Sequence, residues 1–273
     1  MRCKHRRLRI AIPSDALSAN PSLREKTLVA GYIARAAAAL RSEAIDIYMT
    51  ESDEGLDVLL EVLRYLSEPA YLRKVLIPLK PQLKFAGILP PVTIKPLNEG
   101  FKDQEDKLFF KVGVILSCLK NNYAKVLIDK DDEVTIKVEK CRRYKEILVG
   151  IDEKGKPRKV YPRRYGIWRG HYLGFQVRTF ENIYDLLRFY DNNNYKKVGT
   201  SRYGEWPGKL REFVGNDVAL IYGSPSAGLL ERYGELNLDA LINIIPCQGV
   251  KTVRLEEALW ATVGLYSSLE FGL

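Results

Sequence analysis

Residues that commonly carry metal and nucleophilic chemistry are scarce in this 273-residue sequence. It has only two histidines, His5 and His171, so no paired spacing supports a metal site and no histidine is placed to activate a serine. The four cysteines are Cys3, Cys118, Cys141 and Cys247. No two of them form a C-x-x-C pair, which excludes a zinc ribbon or a redox motif. Such cysteine usage is typical of a protein from a reducing compartment, and we expect a cytoplasmic location.

Membrane and nucleotide signals are missing as well. No apolar run reaches the roughly 18 residues of a membrane span, and Pro13 ends the short apolar stretch that follows the basic start, so neither a span nor a signal peptide is expected. No G-x-G-x-x-G follows a predicted strand, and the P-loop-like stretch from Gly150 has Pro157 where Ser or Thr is required. We interpret that stretch as a hairpin turn, and we expect no metal site in the protein.

Positive charge is concentrated in one window, residues 139–169. This window holds eleven lysines and arginines against four acidic residues, whereas the whole chain has a formal net charge of +9. Aromatic residues interleave with the cations, a combination typical of surfaces that bind looped or single-stranded RNA. The predicted RNA-binding residues are Arg142, Arg143, Lys145, Arg158, Lys159, Arg163, Arg164 and Trp168. A solvated hairpin whose tyrosines pack inward remains the open alternative.

Hydrophobic periodicity predicts an α/β protein interrupted by a β-rich insertion. In the first part it predicts strands at 8–12, 45–49 and 75–77 and helices at 22–42 and 55–66. Between residues 92 and about 170 it predicts five short strands, which suggest a small closed barrel of OB type. After Leu173 the α/β rhythm returns, with predicted strands at 197–199, 218–222 and 241–245 and a final helix at 253–269.

The last three predicted strands are each followed by a polar loop that contains glycine. These loops are Gly199–Gly204, Gly223–Gly228 and the stretch from Asn243 to Glu257. In parallel α/β sheets, ligands bind at the carboxyl ends of the strands, where glycine lets the main chain approach closely. Three such loops in succession predict one small-molecule pocket.

The same loops resemble motifs of the knotted SPOUT methyltransferase superfamily, in its archaeal and eukaryotic branch with an inserted β-barrel. The resemblance is carried by the G-T-S-R-Y-G and G-S-P loops, by the I-P-C-Q-G…T-V-R-L-E-E-A segment, and by Tyr32–Ala38, which is similar to the superfamily's first motif. It implies a knotted, parallel-sheet α/β methyltransferase domain with a C-terminal trefoil knot, formed by residues 1–91 and 172–273. An OB-like β-barrel, residues 92–171, would interrupt this domain and bind RNA.

The resemblance also implies S-adenosylmethionine as the cofactor and a homodimer in which the partner completes the active site. Arg35, Asn243 and Arg254 are the implied catalytic residues. The implied cofactor-binding residues are Thr200, Ser201, Arg202, Gly204, Gly223, Ser224, Pro225, Asn243, Ile244, Ile245, Pro246, Gln248, Gly249, Thr252 and Val253. Relatives commonly have Glu-Arg-Gly where this chain has Arg202-Tyr203-Gly204, and many have Asn in place of Cys247.

We therefore expect an S-adenosylmethionine-dependent methyltransferase that modifies a base or ribose of structured rRNA or tRNA. Because no general base is evident, an RNA-binding assembly factor that binds the donor with little catalysis is the main alternative. An unrelated flavodoxin-like domain, which would not bind the donor, is a third.

Overall fold

A computed structural model describes residues 7–271, so Cys3 and His5 lie outside the described residues. The helices are α1 (Leu23–Ala39), α2 (Leu56–Ser67), α3 (Arg73–Leu76), α4 (Lys95–Asn98), α5 (Ile183–Asn192), α6 (Leu229–Tyr233) and α7 (Leu255–Phe271). The strands are β1 (Leu8–Pro13), β2 (Ala44–Tyr48), β3 (Phe101–Lys102), β4 (Phe109–Cys118), β5 (Tyr123–Leu127), β6 (Glu133–Lys137), β7 (Glu146–Ile151), β8 (Pro157–Pro162), β9 (Ile167–Trp168), β10 (His171–Tyr172), β11 (Gln176–Phe180), β12 (Lys196–Glu205), β13 (Val218–Ile221) and β14 (Ala240–Ile242).

The described chain divides into two compact units. The first unit comprises residues 7–67, 80–92 and 175–271, and the second comprises residues 68–79 and 93–174. Residues 68–79 thus belong with the β-rich unit, although the sequence analysis placed them in the α/β domain. The predicted strand at 75–77 is wrong, because its first two residues are the end of the short helix α3.

The first unit is built on a six-stranded parallel sheet in the order β11-β2-β1-β13-β12-β14. Its central strands are fully buried and, apart from Arg9 and Asp46, apolar, as expected for a parallel sheet covered on both faces. A capping box of Ser22 and Glu25 satisfies backbone groups where α1 begins. The predicted α/β fold with a parallel sheet is confirmed. Strand β11 was not predicted.

Two arginines near the start of this unit hold the sheet together. Arg9 is buried and bonds to Asp46 and Glu43 at 2.7 Å, while Arg7 pairs with Asp217 at 2.7 Å. A buried guanidinium needs such partners, because an unpaired charge in the interior is costly. These two cations therefore serve the fold.

The second unit is an antiparallel sheet in the order β6-β5-β4-β7-β8, with β3 paired to β4. The β7–β8 hairpin confirms that the P-loop-like stretch is a turn. Cys118 and Cys141 form a disulfide in this unit, which neither cysteine's sequence context had indicated, and Cys247 is free and exposed.

Two half-buried carboxylates, those of Glu68 and Glu146, are neighbours in the second unit. The pKa of Glu68 is raised to about 9. The larger cause is burial, and the smaller is repulsion by the neighbouring carboxylate of Glu146. The Oε2 atom of Glu68 has no hydrogen-bond partner among the described residues. Glu68 is therefore a protonated acid at neutral pH.

Two further absences concern residues 7–271. No helix in this range is long and apolar enough to cross a membrane. No group of three or more histidine, cysteine, aspartate or glutamate side chains in the same range is arranged to hold a metal ion.

Candidate active site

A cavity of about 390 Å³ opens at the carboxyl ends of β12, β13 and β14. Its volume falls within the range of small-molecule sites. The three loops predicted from sequence all line it, so the prediction that they share a single pocket is confirmed. Twelve of the predicted cofactor-binding residues contribute to the wall: Thr200, Ser201, Arg202, Gly223, Ser224, Pro225, Asn243, Ile244, Ile245, Gln248, Thr252 and Val253. Gly204, Pro246 and Gly249 are not part of the lining.

The first loop is a bulge within β12. Thr200 and Glu205 both pair with Ile242 of β14, so the four residues between them are pushed out of the ladder, and the first three of these line the cavity. A Cβ at Gly204 would lie 2.6 Å from the main-chain carbon of Ile242. Gly204 therefore supports the site by allowing the two strands to approach.

The second loop, residues 223–228, is anchored from beneath by Asp15, which follows β1. The Asp15 carboxylate is buried and accepts a 2.6 Å hydrogen bond from Ser224 Oγ. Arg232 donates to Ser226 Oγ at 2.8 Å and to the same Asp15 oxygen at 3.4 Å. The other oxygen, Asp15 Oδ1, has no partner among the described residues. Asp15 and Arg232 were missed because they lie outside the loop motif.

Asn243 begins the third loop and fixes its shape. Its side-chain amide donates to the carbonyl of Arg202 at 2.9 Å, and its carbonyl oxygen accepts from the backbone amide of Ile245 at 3.1 Å. Gln248 donates to the carbonyls of Val250 and Lys251 further along the loop. Asn243 therefore ties the first loop to the third.

The charged side chains in the described lining are Arg202, Glu231 and Lys251. Arg202 donates to Glu231 Oε1 at 2.7 Å, and Glu231 Oε2 accepts from the backbone amide of Gly228 at 3.0 Å. The Gly228 bond, aided by the Arg202 charge, holds the pKa of Glu231 below its ordinary value. Glu231 is therefore ionised and is a poor general base.

Sequence reasoning missed several lining residues. Tyr203 lies inside the first loop and Lys251 inside the third, whereas Glu231 lies in α6, to which no role was given. Tyr222, also in the lining, donates from its buried hydroxyl to Thr262 of α7. Their place in the two predicted loops could have indicated Tyr203 and Lys251, whereas Tyr222 and Glu231 are brought to the cavity by the fold.

Of the three predicted catalytic residues, Asn243 lines the cavity and the two arginines do not. Arg35 on α1 is half-buried and donates to the carbonyl of Pro91. Arg254 is exposed at the start of α7, where its backbone amide donates to Glu257. The catalytic roles of all three remain predictions.

The cations predicted to bind RNA are placed unequally in the second unit. Arg142, Arg143, Lys145 and Arg164 are exposed, while Arg158 and Lys159 are about half exposed and pair with Asp152 and Asp106. Arg163 departs from the prediction: its side chain is only 6% exposed, contacts Glu146 at 3.3 Å and donates to the carbonyl of Leu173. A guanidinium enclosed in this way is a structural element of the unit.

Trp168 also departs from the prediction of an exposed stacking platform. It packs against the rings of Phe101, Phe110 and Tyr161, with centroids 5.5 to 6.0 Å apart, and Arg169 lies 4.6 Å above its ring. These contacts are typical of an aromatic core. For Trp168, therefore, the structure agrees better with the alternative in which aromatic side chains pack inward than with a role in RNA binding.

Comparison with known protein families identifies the family of this chain. Residues 7–265 match a family model described as "Putative RNA methyltransferase". The chain belongs to this RNA methyltransferase family. The match covers both units, so the β-rich unit is an integral part of the family's architecture.

Several proteins are similar to this chain along most of its length. It is 30% identical over 92% of its length to the 28S rRNA (uridine-N(3))-methyltransferase of Drosophila melanogaster, and it spans 60% of that protein. It is 24% identical to the human protein of the same description, over 92% of this chain and 75% of that protein. An uncharacterized protein of Halobacterium salinarum is 27% identical over 93% of this chain and 96% of its own length.

Among solved structures, the SpoU methyltransferase AviRb of Streptomyces viridochromogenes, in complex with the cofactor AdoMet, resembles the chain with a TM-score of 0.39 and 9% identity. The alignment covers 100% of this chain and 59% of AviRb.

Proposed function

We propose that this chain transfers a methyl group from S-adenosylmethionine to ribosomal RNA, with N3 of a uridine as the acceptor atom. The observation that carries the proposal is the convergence of three loops on one cavity in a member of an RNA methyltransferase family. The uridine acceptor is supported by the description of the Drosophila and human relatives as 28S rRNA (uridine-N(3))-methyltransferases.

The cavity fits an adenosine-containing donor. Ile244, Ile245 and Val253 offer an apolar surface for the adenine ring, next to exposed main-chain groups of the third loop. At Gly223 a Cβ would lie 2.9 Å from the amide of Leu229, so glycine keeps the second loop close to α6. When bound, S-adenosylmethionine supplies a methyl group already activated by a positively charged sulfur.

With the methyl group activated in this way, the main task of the chain is to align the acceptor and to exclude water. The bonds from Asn243 to the first loop and from Ser224 to Asp15 hold two walls of the cavity in place. Glu231 is ionised and paired with Arg202, so we assign it no proton transfer. Orientation is therefore the catalytic contribution we propose for these residues.

We further propose that the protein acts as a cytoplasmic homodimer and that Arg35 and Arg254 contact substrate in a site completed by the partner. Support comes from their position outside the cavity of their own chain and from two exposed aromatic residues, Tyr32 on α1 and Trp260 on α7. We also propose the trefoil knot, which would form where the third loop leads from β14 into α7. Sedimentation analysis of the purified protein tests the dimer.

The exposed cations of the second unit form the proposed RNA surface, defined as Arg142, Arg143, Lys145 and Arg164. We propose that this unit is an OB-type barrel. The order β6-β5-β4-β7-β8 supports this, because an OB barrel opened between its third and fifth strands has the same order. Arg163 and Trp168 are left out of the surface because they are engaged inside the unit.

The test combines calorimetry with S-adenosylmethionine and transfer of a labelled methyl group to ribosomal RNA, followed by analysis for 3-methyluridine. We expect binding and transfer for the natural sequence, and neither for Ile244→Arg, which places a charge in the cavity. Val250→Arg is the matched control, because Val250 lies on the same loop, 60% exposed and outside the lining. Binding without transfer would favour the assembly factor, and absence of binding would refute the proposal.

A further inference from the structure

The cavity contains one pair of opposite charges in direct contact. Arg202, on the bulge of β12, and Glu231, on α6, both belong to the lining and form an ion pair of 2.7 Å. Their side chains are 40% and 43% exposed, so both can reach a molecule in the cavity. The remaining charged side chain of the described lining, Lys251, is exposed and forms no salt bridge within residues 7–271.

Each member of the pair is also held by a neighbour. Glu231 keeps one oxygen on the Gly228 amide while the other accepts from Arg202. Arg202 lies 4.7 Å over the ring of Tyr203, and its second terminal nitrogen is 3.4 Å from the Lys251 carbonyl. Both charges thus stay at the cavity wall when their mutual contact opens.

A guanidinium beside a carboxylate is complementary to a molecule that carries a carboxylate and an ammonium group on the same carbon. We propose that Arg202 binds the α-carboxylate and Glu231 the α-ammonium of the methionine end of the donor. This inference rests on the proposed function, because it takes the donor to be an amino-acid derivative of adenosine.

The exchange leaves no charge unpaired. Without the donor, Arg202 and Glu231 neutralise each other; with it, each contacts the opposite charge of the zwitterion, which gives two charge-assisted contacts in place of one. A ligand that lacks the amino-acid end leaves the original pair intact. The pair therefore strengthens the binding of ligands that have the amino-acid end and does not affect the binding of the nucleoside part.

This selectivity separates recognition from a purely structural role. If the ion pair only held the first loop to α6, its loss would deform the whole cavity and weaken every ligand. If it recognises the amino-acid end, its loss weakens only ligands that have that end. S-adenosylhomocysteine and 5′-methylthioadenosine form a suitable pair of probes, because both carry adenosine and a neutral sulfur but only the first carries the zwitterion.

The experiment is calorimetry of the full chain and of three variants with these two probes. We expect Arg202→Gln and Glu231→Gln each to weaken S-adenosylhomocysteine about tenfold, as for loss of a charge-assisted hydrogen bond, and to change 5′-methylthioadenosine less than about twofold. Glu231→Gln keeps an oxygen for the Gly228 amide, so it removes the charge and preserves the shape of the loop. Lys196→Gln, which removes the charge from an ion pair of the same unit with Asp239 outside the cavity lining, is the control and leaves both affinities unchanged.

Three results would overturn the inference: equal weakening of both probes, no weakening of either, or an effect of Lys196→Gln as large as that of Arg202→Gln. Retained affinity for 5′-methylthioadenosine shows in the same titration that a variant is folded. If the natural sequence binds neither probe, the proposed function itself fails, and that result is distinct from the three above.

Discussion

Removing two positive charges from the proposed RNA surface tests whether RNA binds there. Arg142 and Lys145 are exposed in the segment between β6 and β7, and within residues 7–271 neither side chain forms a salt bridge. The double variant Arg142→Gln, Lys145→Gln lowers the positive charge without disturbing a described ion pair. We expect it to weaken RNA binding and to reduce the dependence of binding on salt.

The magnitude follows from counterion release. Each phosphate contacted by a cation contributes about 0.7 to the slope of log K against log salt for a single-stranded nucleic acid. Two lost contacts therefore reduce the slope by about 1.4, provided that both side chains contact phosphate. The chain has a formal net charge of +9, so the long-range field also falls slightly when two charges are removed.

The control removes the same charge from another part of the same unit. Lys95 and Lys102 are 81% and 70% exposed, and their acidic neighbours are 4.0 and 3.9 Å away. The assay is fluorescence anisotropy of a labelled ribosomal RNA fragment over a series of salt concentrations. Equal changes of slope for Lys95→Gln, Lys102→Gln and for Arg142→Gln, Lys145→Gln would show that only net charge matters, and the proposed surface would be wrong.

Three further predictions concern Asp15, Glu68 and the disulfide. Asp15→Asn should loosen the second loop and lower the free energy of unfolding by about 1–3 kcal/mol, measured by thermal denaturation, because the Ser224 hydroxyl loses a charged acceptor. Since the pKa of Glu68 is raised to about 9, folded Glu68 keeps its proton where the unfolded chain has lost it. The free energy of unfolding should then fall by up to about 1.4 kcal/mol per pH unit from about pH 5 to about pH 9. Glu68→Gln should remove that slope in denaturant titrations and Glu153→Gln, 90% exposed, should not. Cys118→Ser should destabilise the second unit by about 3 kcal/mol in hydrogen exchange, as expected for opening a loop closed across 23 residues.

The α/β part of the fold could be predicted because its strands are apolar and its long helices are amphipathic. Strand β1, for example, is buried throughout and contains two isoleucines, and α2 buries one continuous face. Two predictions of secondary structure failed in short segments, where the hydrophobic pattern covers only a few residues. Val75–Ile77 has β-branched residues but lies at the end of a short helix, while β11 mixes polar and apolar residues at the edge of the sheet.

Contacts between distant parts of the chain account for the remaining errors. Cys118 ends β4 and Cys141 follows β6, and the two meet only because β4, β5 and β6 pair as antiparallel neighbours. Arg163 belongs to a basic stretch, yet the fold encloses it beside Glu146. A count of charges cannot separate this arginine from Arg164, which is exposed one residue later.

The cavity lining shows the same division between local and long-range information. Glycine and proline marked the loops, since their main-chain geometry is dictated locally. The bonds that join one loop to another were not visible in the sequence: Arg202 to Glu231, Asn243 to the Arg202 carbonyl, and Asp15 to Ser224. Each of these bonds spans at least 29 residues of sequence. Because these bonds join the loops to one another and to Asp15, they restrict the motion of the cavity walls, and donor binding costs less conformational entropy than in a cavity of mobile loops. A reaction that depends mainly on alignment benefits directly from such order.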